Sequence, residues 1–345
     1  MALRRIGVLT GGGDCPGLNA VIRAVVRTAL KDHTLVTGIK NGWKGLIEKD
    51  TIELDLNSVT GILPRGGTIL GTSRTNPFMR KEDVGQLRLN FQELSLDALV
   101  VIGGEDTLGV AYKLWNEFSL PLVGIPKTID NDLSATDVTF GFDTAVNIAT
   151  ESIDRLHTTA ESHHRIMVVE VMGRHAGWIA LHSGIAGGAD VILIPEIPID
   201  LTEVCEYLRR RYERGKGFSI VVVAEGAKFK EGHEITLEEK IDAFGHIRLG
   251  GIGYVLGKEI EQRTSLETRV TVLGHVQRGG TPTAFDRVLA IRFGVKAVEL
   301  VQKQAFGQMV SLQGMEIVCV SLEKAVGNLK TVSKDLYEVA KVFFG

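Results

Sequence analysis

Arg5-Ile-Gly-Val-Leu-Thr10 runs into Gly11-Gly12-Gly13-Asp14-Cys15-Pro16-Gly17 and then into Leu18–Leu30. It reads as a short apolar strand, a glycine-rich turn and a helix. The same grammar recurs. Leu35–Ile39 is a strand, and Ala98–Ile102 is a buried strand ending in Gly103-Gly104-Glu105-Asp106-Thr107. A helix from about Leu108 to Phe118 leads to the strand Leu122–Ile125, which opens into Pro126-Lys127-Thr128-Ile129-Asp130-Asn131-Asp132. Apolar runs of about 4–8 residues alternating with amphipathic helices predict a parallel sheet covered on both faces. Ligands of such sheets bind beyond the carboxyl ends of the strands. The loops Gly11–Gly17, Gly103–Thr107 and Pro126–Asp132 should therefore converge.

A long amphipathic helix, about Ala145–Ala160, precedes a second series with strands Arg165–Val171, Val191–Ile194, Ser219–Ala224 and Thr268–Leu273. Three of these end in polar signatures: Met172-Gly173-Arg174, Glu225-Gly226 and Gly274–Gly280. A long helix Ala284–Lys303 follows, and Lys334–Phe344 reads as a closing helix. The charged stretch Phe229–Lys240 reads as an exposed loop. The chain is 345 residues long, enough for two domains or one split α/β unit.

Composition narrows the class. A net charge of −3 argues against a nucleic-acid binder. The 40 glycines exceed the usual ~7% and cluster at the ends of apolar runs, where tight turns hold ligands. Cys15, Cys205 and Cys319 show neither disulfide nor zinc spacing. Met1-Ala-Leu-Arg-Arg leads straight into a strand without a signal peptide, and no apolar stretch approaches ~18 residues. A cytoplasmic soluble enzyme, with no membrane partner, is the expectation.

Glycine-rich loops at strand ends suit phosphate, because backbone N–H groups reach an anion only where no Cβ intervenes. Neither loop matches Gly-x-Gly-x-x-Gly or Gly-x4-Gly-Lys-Ser/Thr, which disfavours a nicotinamide dehydrogenase. Glu105 and Asp106, with Asp130 and Asp132 from the next strand end, could hold Mg2+ beside substrate phosphates. Helix capping is the alternative for either pair. Thr128, Asp130 and Asp132 alternate, so an extended loop would aim all three to one side. Arg165, Arg174, Arg269, His275 and Arg278 place cationic side chains beside apolar strands, suiting a phosphorylated substrate. Glu225 could accept sugar hydroxyls. His163, His164, His175 and His182 lack metal spacing and read as structural. Phosphoryl transfer involving a phosphosugar accounts for this set.

These residues resemble the 6-phosphofructokinase family from about Arg5 to at least Phe293. The motifs, in order, are Gly12–Asn19, Gly66-Gly67-Thr68, Gly103–Thr107, Thr128–Asp132, Val169–Arg174 and Leu273–Gly280. The resemblance implies the phosphofructokinase fold: α/β, with two Rossmann-like three-layer lobes of mostly parallel sheet. Residues 1–141 with about 277–305 would form the donor and Mg2+ lobe. Residues 142–276 with about 306–345 would form the fructose 6-phosphate lobe.

It also implies roles. Asp130 would be the base for the 1-hydroxyl of fructose 6-phosphate, Thr128 and Asp130 would contact the sugar, and Asp132 would support metal and transition state. Met172, Gly173, Arg174, Glu225, His275 and Arg278 would bind the sugar phosphate. Arg165 and Arg269 would reach in from a neighbouring subunit of a homo-oligomer, dimer or tetramer. Gly12 and Arg74 would contact the donor phosphates. Glu105 stands where the family places its Mg2+-binding carboxylate, usually Asp.

Two departures concern the donor. ATP-using members carry glycine at the positions of Asp106 and Lys127. Asp106 would set a negative charge where the α-phosphate of ATP lies, and Lys127 would bring a cation to a shorter donor. The pair resembles the diphosphate-dependent branch; an ATP-dependent enzyme and a non-catalytic phosphosugar-binding regulator are the alternatives. Arg23 and Arg27 retain an effector-binding pattern of bacterial relatives, whereas His157 and Leu56 stand where arginines would be, so effector control would be weak or absent.

Overall fold

The computed structural model describes residues 3–230, 236–241, 243–245 and 247–344. The first lobe begins with β1 (Arg5–Thr10), β2 (Leu35–Ile39), β3 (Thr51–Leu54), β4 (Ala98–Gly103) and β5 (Leu122–Pro126). The second is built on β6 (Ile166–Val171), β7 (Val191–Leu193) and β8 (Ser219–Ala224). A hairpin of β9 (Thr236–Ile241) and β10 (Ile247–Leu249) precedes β11 (Thr268–Val272), and the chain continues to β12 (Gln308–Gln313) and β13 (Glu316–Ser321).

The larger sheet runs β13-β12-β5-β4-β1-β2-β3, with antiparallel pairing only at its two edges. The smaller runs β11-β6-β8-β7 and is parallel throughout. Every residue of β4, β6 and β8 is buried, as strands covered on both faces require. The α/β class and the mostly parallel sheets are as the sequence predicts.

The order β2-β1-β4 sets the site. The chain leaves β1 toward β2 on one side, while β4 pairs on the other, so the loops after β1 and β4 diverge and leave a crevice. The helix Leu18–Lys31 starts at Gly17, whose φ of 106° suits glycine alone, and this helix packs on Ala284–Gln302. The helix Phe142–His163 joins the lobes. One hydrophobic cluster runs from Ile22 and Val100 through Phe140, Ala149 and Phe293 to Val169 and Val222, so both walls of the crevice rest on a continuous core. At the lobe junction Gly66 lies against Gly280: a Cβ there would meet the Gly280 carbonyl oxygen at 2.2 Å.

Three expectations change. Residues from about 306 onward were expected in the second lobe. Instead β12 pairs with β5 and β13 completes that sheet, while Lys334–Lys341 packs on the helix Trp178–Ala186 of the second lobe. Within Phe229–Lys240, Thr236–Lys240 belongs to β9 rather than a loop; residues 231–235 lie outside the described residues. The helices expected from Leu108 and Ala145 start earlier, at Glu105 and Phe142, because Gly104 and Gly141 are their N-caps. No helix among the described residues is long and apolar enough to cross a membrane.

Candidate active site

The carboxyl ends of β1, β4 and β5 converge on one cleft, and the second lobe closes it with Arg174 and Arg278. Thr107 fastens the first two loops together. A Cβ on Gly11 would lie 2.7 Å from the Thr107 side chain, and one on Gly103 would lie 2.3 Å from it. Glycine at both positions makes room for that threonine, which accounts for the pattern Gly103-Gly104-Glu105-Asp106-Thr107.

Glu105 and Asp106 occupy the first turn of the helix Glu105–Phe118, behind Gly104 as N-cap, and neither caps the helix with its side chain. Both carboxylates face the cleft and gain from the helix dipole. Asp106 also reaches the other lobe, with Oδ2 3.8 Å from Arg174 Nη1.

Lys127 is 3% exposed and donates from Nζ to the Gly13 carbonyl at 2.5 Å, beneath the glycine loop. Burial holds its pKa below the usual lysine value, an effect partly offset by Cys15 and Asp130 and reinforced by Arg278. The Gly12 N–H is committed to the Ser73 carbonyl at 3.1 Å, so Gly12 offers the cleft its bare Cα. Arg74 follows Ser73 and is exposed, outside the cleft lining.

The loop after Lys127 is a turn, not the extended segment that alternation suggested. Asn131 has φ of 52°, and Thr128 Oγ1 accepts from the Asp130 N–H at 3.1 Å. Thr128, Asp130 and Asp132 nevertheless all line the cleft. The next helix starts only at Phe142, so neither aspartate is a helix cap. Asp130 is 6% exposed, and its buried Oδ1 has no hydrogen-bond partner among the described residues. The Asp132 carboxyl is pushed up to about 7, chiefly by burial and then by the negative charge of Asp130, with Arg174 opposing and Glu105 adding.

On the facing wall, Gly173 (φ 143°) and Arg174 (φ 50°) form a tight bend after β6. Glu225 Oε1 accepts the Arg174 N–H at 3.2 Å, and a Cβ on Gly226 would collide with the Arg174 carbonyl at 1.8 Å. Burial, with Asp130 second, pushes the Glu225 carboxyl up to about 7. Met172 is buried behind the bend, its N–H 3.4 Å from Gln277 Oε1. Arg278 reaches over the glycine loop, where a Cβ on Gly13 would stand 2.9 Å from Nη1. His275 is exposed and is not among the residues that line the cleft.

Arg165 and Arg269 are not in this cleft. They stand at the amino ends of β6 and β11, opposite the site, and both pair with Glu267, Arg165 at 2.9 Å. Three of the five cationic residues noted in the sequence therefore lie at ligand-binding strand ends, and two do not. Asp14 and Thr107 line the cleft without having been singled out; the glycine runs that precede them, Gly11–Gly13 and Gly103-Gly104, were the available signal.

Comparison with known proteins agrees with this geometry. The family described as phosphofructokinase matches residues 5–301. A pyrophosphate--fructose 6-phosphate 1-phosphotransferase of Streptomyces coelicolor is 60% identical, over 99% of this chain and 100% of that one. An ATP-dependent 6-phosphofructokinase 3 of the same organism is 56% identical, over 98% of this chain and 99% of its own. Among solved structures, phosphofructokinase from Saccharomyces cerevisiae superposes with a TM-score of 0.80 at 34% identity, over 99% of this chain and 46% of the longer yeast chain.

The raised carboxyls have a stability consequence. Glu225 titrates near 7 in the fold against an ordinary 4.5, so folding favours its protonated form. The stability it confers is complete below the unfolded value and is lost as pH rises through about 7. The melting temperature of the free protein should fall between about pH 4.5 and pH 7 and level off above, and Glu225→Gln should flatten part of that slope in a calorimetric series. An unchanged slope would mean that Glu225 is already ionised in the fold.

Proposed function

This chain belongs to the phosphofructokinase family, and from that premise we propose that it transfers a phosphoryl group from diphosphate to the 1-hydroxyl of fructose 6-phosphate. The products are phosphate and fructose 1,6-bisphosphate. The observation that carries the donor assignment is the Asp106–Lys127 pair. Asp106 puts a carboxylate into the cleft at the head of its helix, and Lys127 holds a buried cation under the glycine loop. A longer polyphosphate donor meets the Asp106 charge, while a short one gains the Lys127 charge. Relatives named ATP-dependent at 56% and 50% identity keep ATP as the second reading.

Asp130 acts as the base. Its unpartnered buried Oδ1 is free to accept the sugar hydroxyl proton as that oxygen attacks phosphorus in line. Lys127 and the glycine-loop backbone stabilise charge on the donor side. Arg174 and Arg278, with Met172, Gly173, Glu225 and His275 around them, hold the sugar phosphate, while Thr128 orients the loop and the sugar. Gly12 lets the donor approach closely, and Arg74 meets it at the rim.

The donor set fits Mg2+. No three acidic, histidine or cysteine side chains among the described residues close into a metal cage, but Glu105, Asp130 and Asp132 share the cleft lining, and Asp130 and Glu105 add to the burial that raises Asp132. Mg2+ uses one or two carboxylates and completes its shell with phosphate oxygens and water, so no larger protein cage is required. Glu105 would hold it, supported by Asp132, and the bound ion would neutralise charge on the transferring phosphoryl group.

Diphosphate is a lower-energy donor than ATP, so the reaction runs in either direction, serving glycolysis or gluconeogenesis. His157 is tied to the Gly187 carbonyl at 2.7 Å and Leu56 is apolar, which supports weak effector control and hyperbolic saturation by fructose 6-phosphate. A sigmoidal curve relieved by ADP would contradict that. Arg165 and Arg269, facing away from their own cleft, complete the site of an adjacent subunit.

Asp130→Asn should lower kcat by about two orders of magnitude or more with little change in the fructose 6-phosphate KM; a raised KM at intact kcat would make Asp130 a binding residue. Asp106→Gly should weaken discrimination against ATP by about tenfold or more in the ratio of donor kcat/KM values, and an unchanged ratio would remove Asp106 from donor selection. Oligomers mixed from inactive Asp130→Asn and Arg269→Ser subunits should regain activity, because some sites then receive both intact residues. No recovery after verified subunit exchange would place Arg269 outside the shared site.

A further inference from the structure

The segment between the helices Leu322–Val326 and Lys334–Lys341 crosses from the first lobe to the second behind the Lys127–Asp132 loop, beyond the residues that carry the family match. Lys330 is its hub. Its ammonium lies 2.9 Å from each of three oxygens: Asn131 Oδ1, the Thr136 carbonyl and the Asp137 carbonyl. An ammonium has three protons, so this set uses its full donor capacity. The Lys330 N–H donates to the Asp132 carbonyl at 2.8 Å, and its own carbonyl accepts from Trp178 Nε1 at 2.9 Å. The ammonium also stands 5.4 Å from the centre of the Trp178 ring.

Its neighbours extend the tie in both directions. Leu329 bridges to Leu133 just past the loop, and the Val332 N–H donates to Glu196 at 2.8 Å. Glu196 also accepts the Gly177 N–H at 3.0 Å, three residues after Arg174. The strap thus touches the chain on each side of the cleft.

Asn131 is where this matters for chemistry. It sits between Asp130 and Asp132 in the left-handed region, so its conformation sets the direction of both neighbours. Its Oδ1 is held by the Lys330 ammonium and by the Thr139 N–H at 3.1 Å. Removing the ammonium leaves Asn131 with one anchor and takes this donor from the Thr136 and Asp137 carbonyls.

We propose that Lys330 is a positioning residue for phosphoryl transfer: its ammonium fixes the Asn131 turn that aims Asp130 and Asp132 into the cleft, and its backbone ties that turn to Trp178 in the second lobe. The proposal rests on the reading of Asp130 as the base. Lys330 touches no substrate, so its loss acts on the geometry of the reacting groups and not on sugar-phosphate binding. Misplacement by a fraction of an ångström costs an oriented reaction heavily.

The test uses the full-length protein with whichever donor, diphosphate or ATP, supports wild-type turnover. Lys330→Met and Lys330→Ala should lower kcat per folded subunit by about tenfold or more while the fructose 6-phosphate KM stays within about threefold. Ethylammonium should restore part of the kcat of Lys330→Ala and leave Lys330→Met unchanged. Trp178→Phe, which deletes only the indole donor, should shift kcat in the same sense by less. A kcat within about twofold of wild type in Lys330→Met, or a loss accounted for entirely by unfolded protein, would overturn the proposal. Should both Lys330 variants fail to fold, an unchanged kcat in Trp178→Phe would overturn it. Asp130→Asn assayed alongside separates the two readings: if it is fully active the base assignment fails, and if it is inactive beside a fully active Lys330→Met only the positioning role fails.

Discussion

Lys127, Asp130 and Asp132 are brought within six residues at the end of a buried strand, and the rest of the cleft is arranged around the cost of that placement. A buried ammonium and neighbouring buried carboxylates lose hydration that their mutual attraction only partly returns. The consequences are visible in the depressed Lys127, the raised Asp132 and Glu225, and the unpartnered Oδ1 of Asp130. In the proposed reaction a phosphorylated substrate and a diphosphate donor with its cation would supply the compensating charges. The site is poised to gain electrostatic energy on being filled, which is how preorganised phosphoryl-transfer sites use their charges.

Two sheets make this arrangement possible, because each contributes loops at its strand ends and a continuous core holds the two sets in register. The glycines are spacers for specific neighbours. Gly11 and Gly103 clear Thr107, Gly13 clears Arg278, and Gly226 clears the Arg174 carbonyl. The Asp106–Arg174 approach at 3.8 Å spans the cleft directly and brings the carboxylate proposed to select the donor within range of the arginine proposed to hold the sugar phosphate. Under the proposed function, donor choice and acceptor binding would therefore be electrostatically linked.

Much of this was legible in the sequence for definite reasons. Buried parallel strands read as apolar runs, so β1, β2, β4, β5, β6 and β8 stood out, and their loops carried the residues that meet in the cleft. Lines of sight failed where contacts are distant or unpatterned. Gln308–Ser321 contains strands, but nothing local says which sheet they join. Arg165 and Arg269 were grouped with the cleft residues by charge, although both sit at the starts of their strands and so at the far end from the site. Lys330 lies in Gly327-Asn328-Leu329-Lys330-Thr331 with no motif around it, and its partner Asn131 is 199 residues away.

The choice of donor is decided by one comparison. Initial rates of fructose 6-phosphate phosphorylation by the purified protein, with saturating Mg2+ and matched concentrations of diphosphate and ATP, report which donor the cleft accepts. Turnover with diphosphate should exceed that with ATP by about a hundredfold or more, in keeping with an uncompensated charge in the wrong donor's path. Efficient turnover with ATP and none with diphosphate would contradict it.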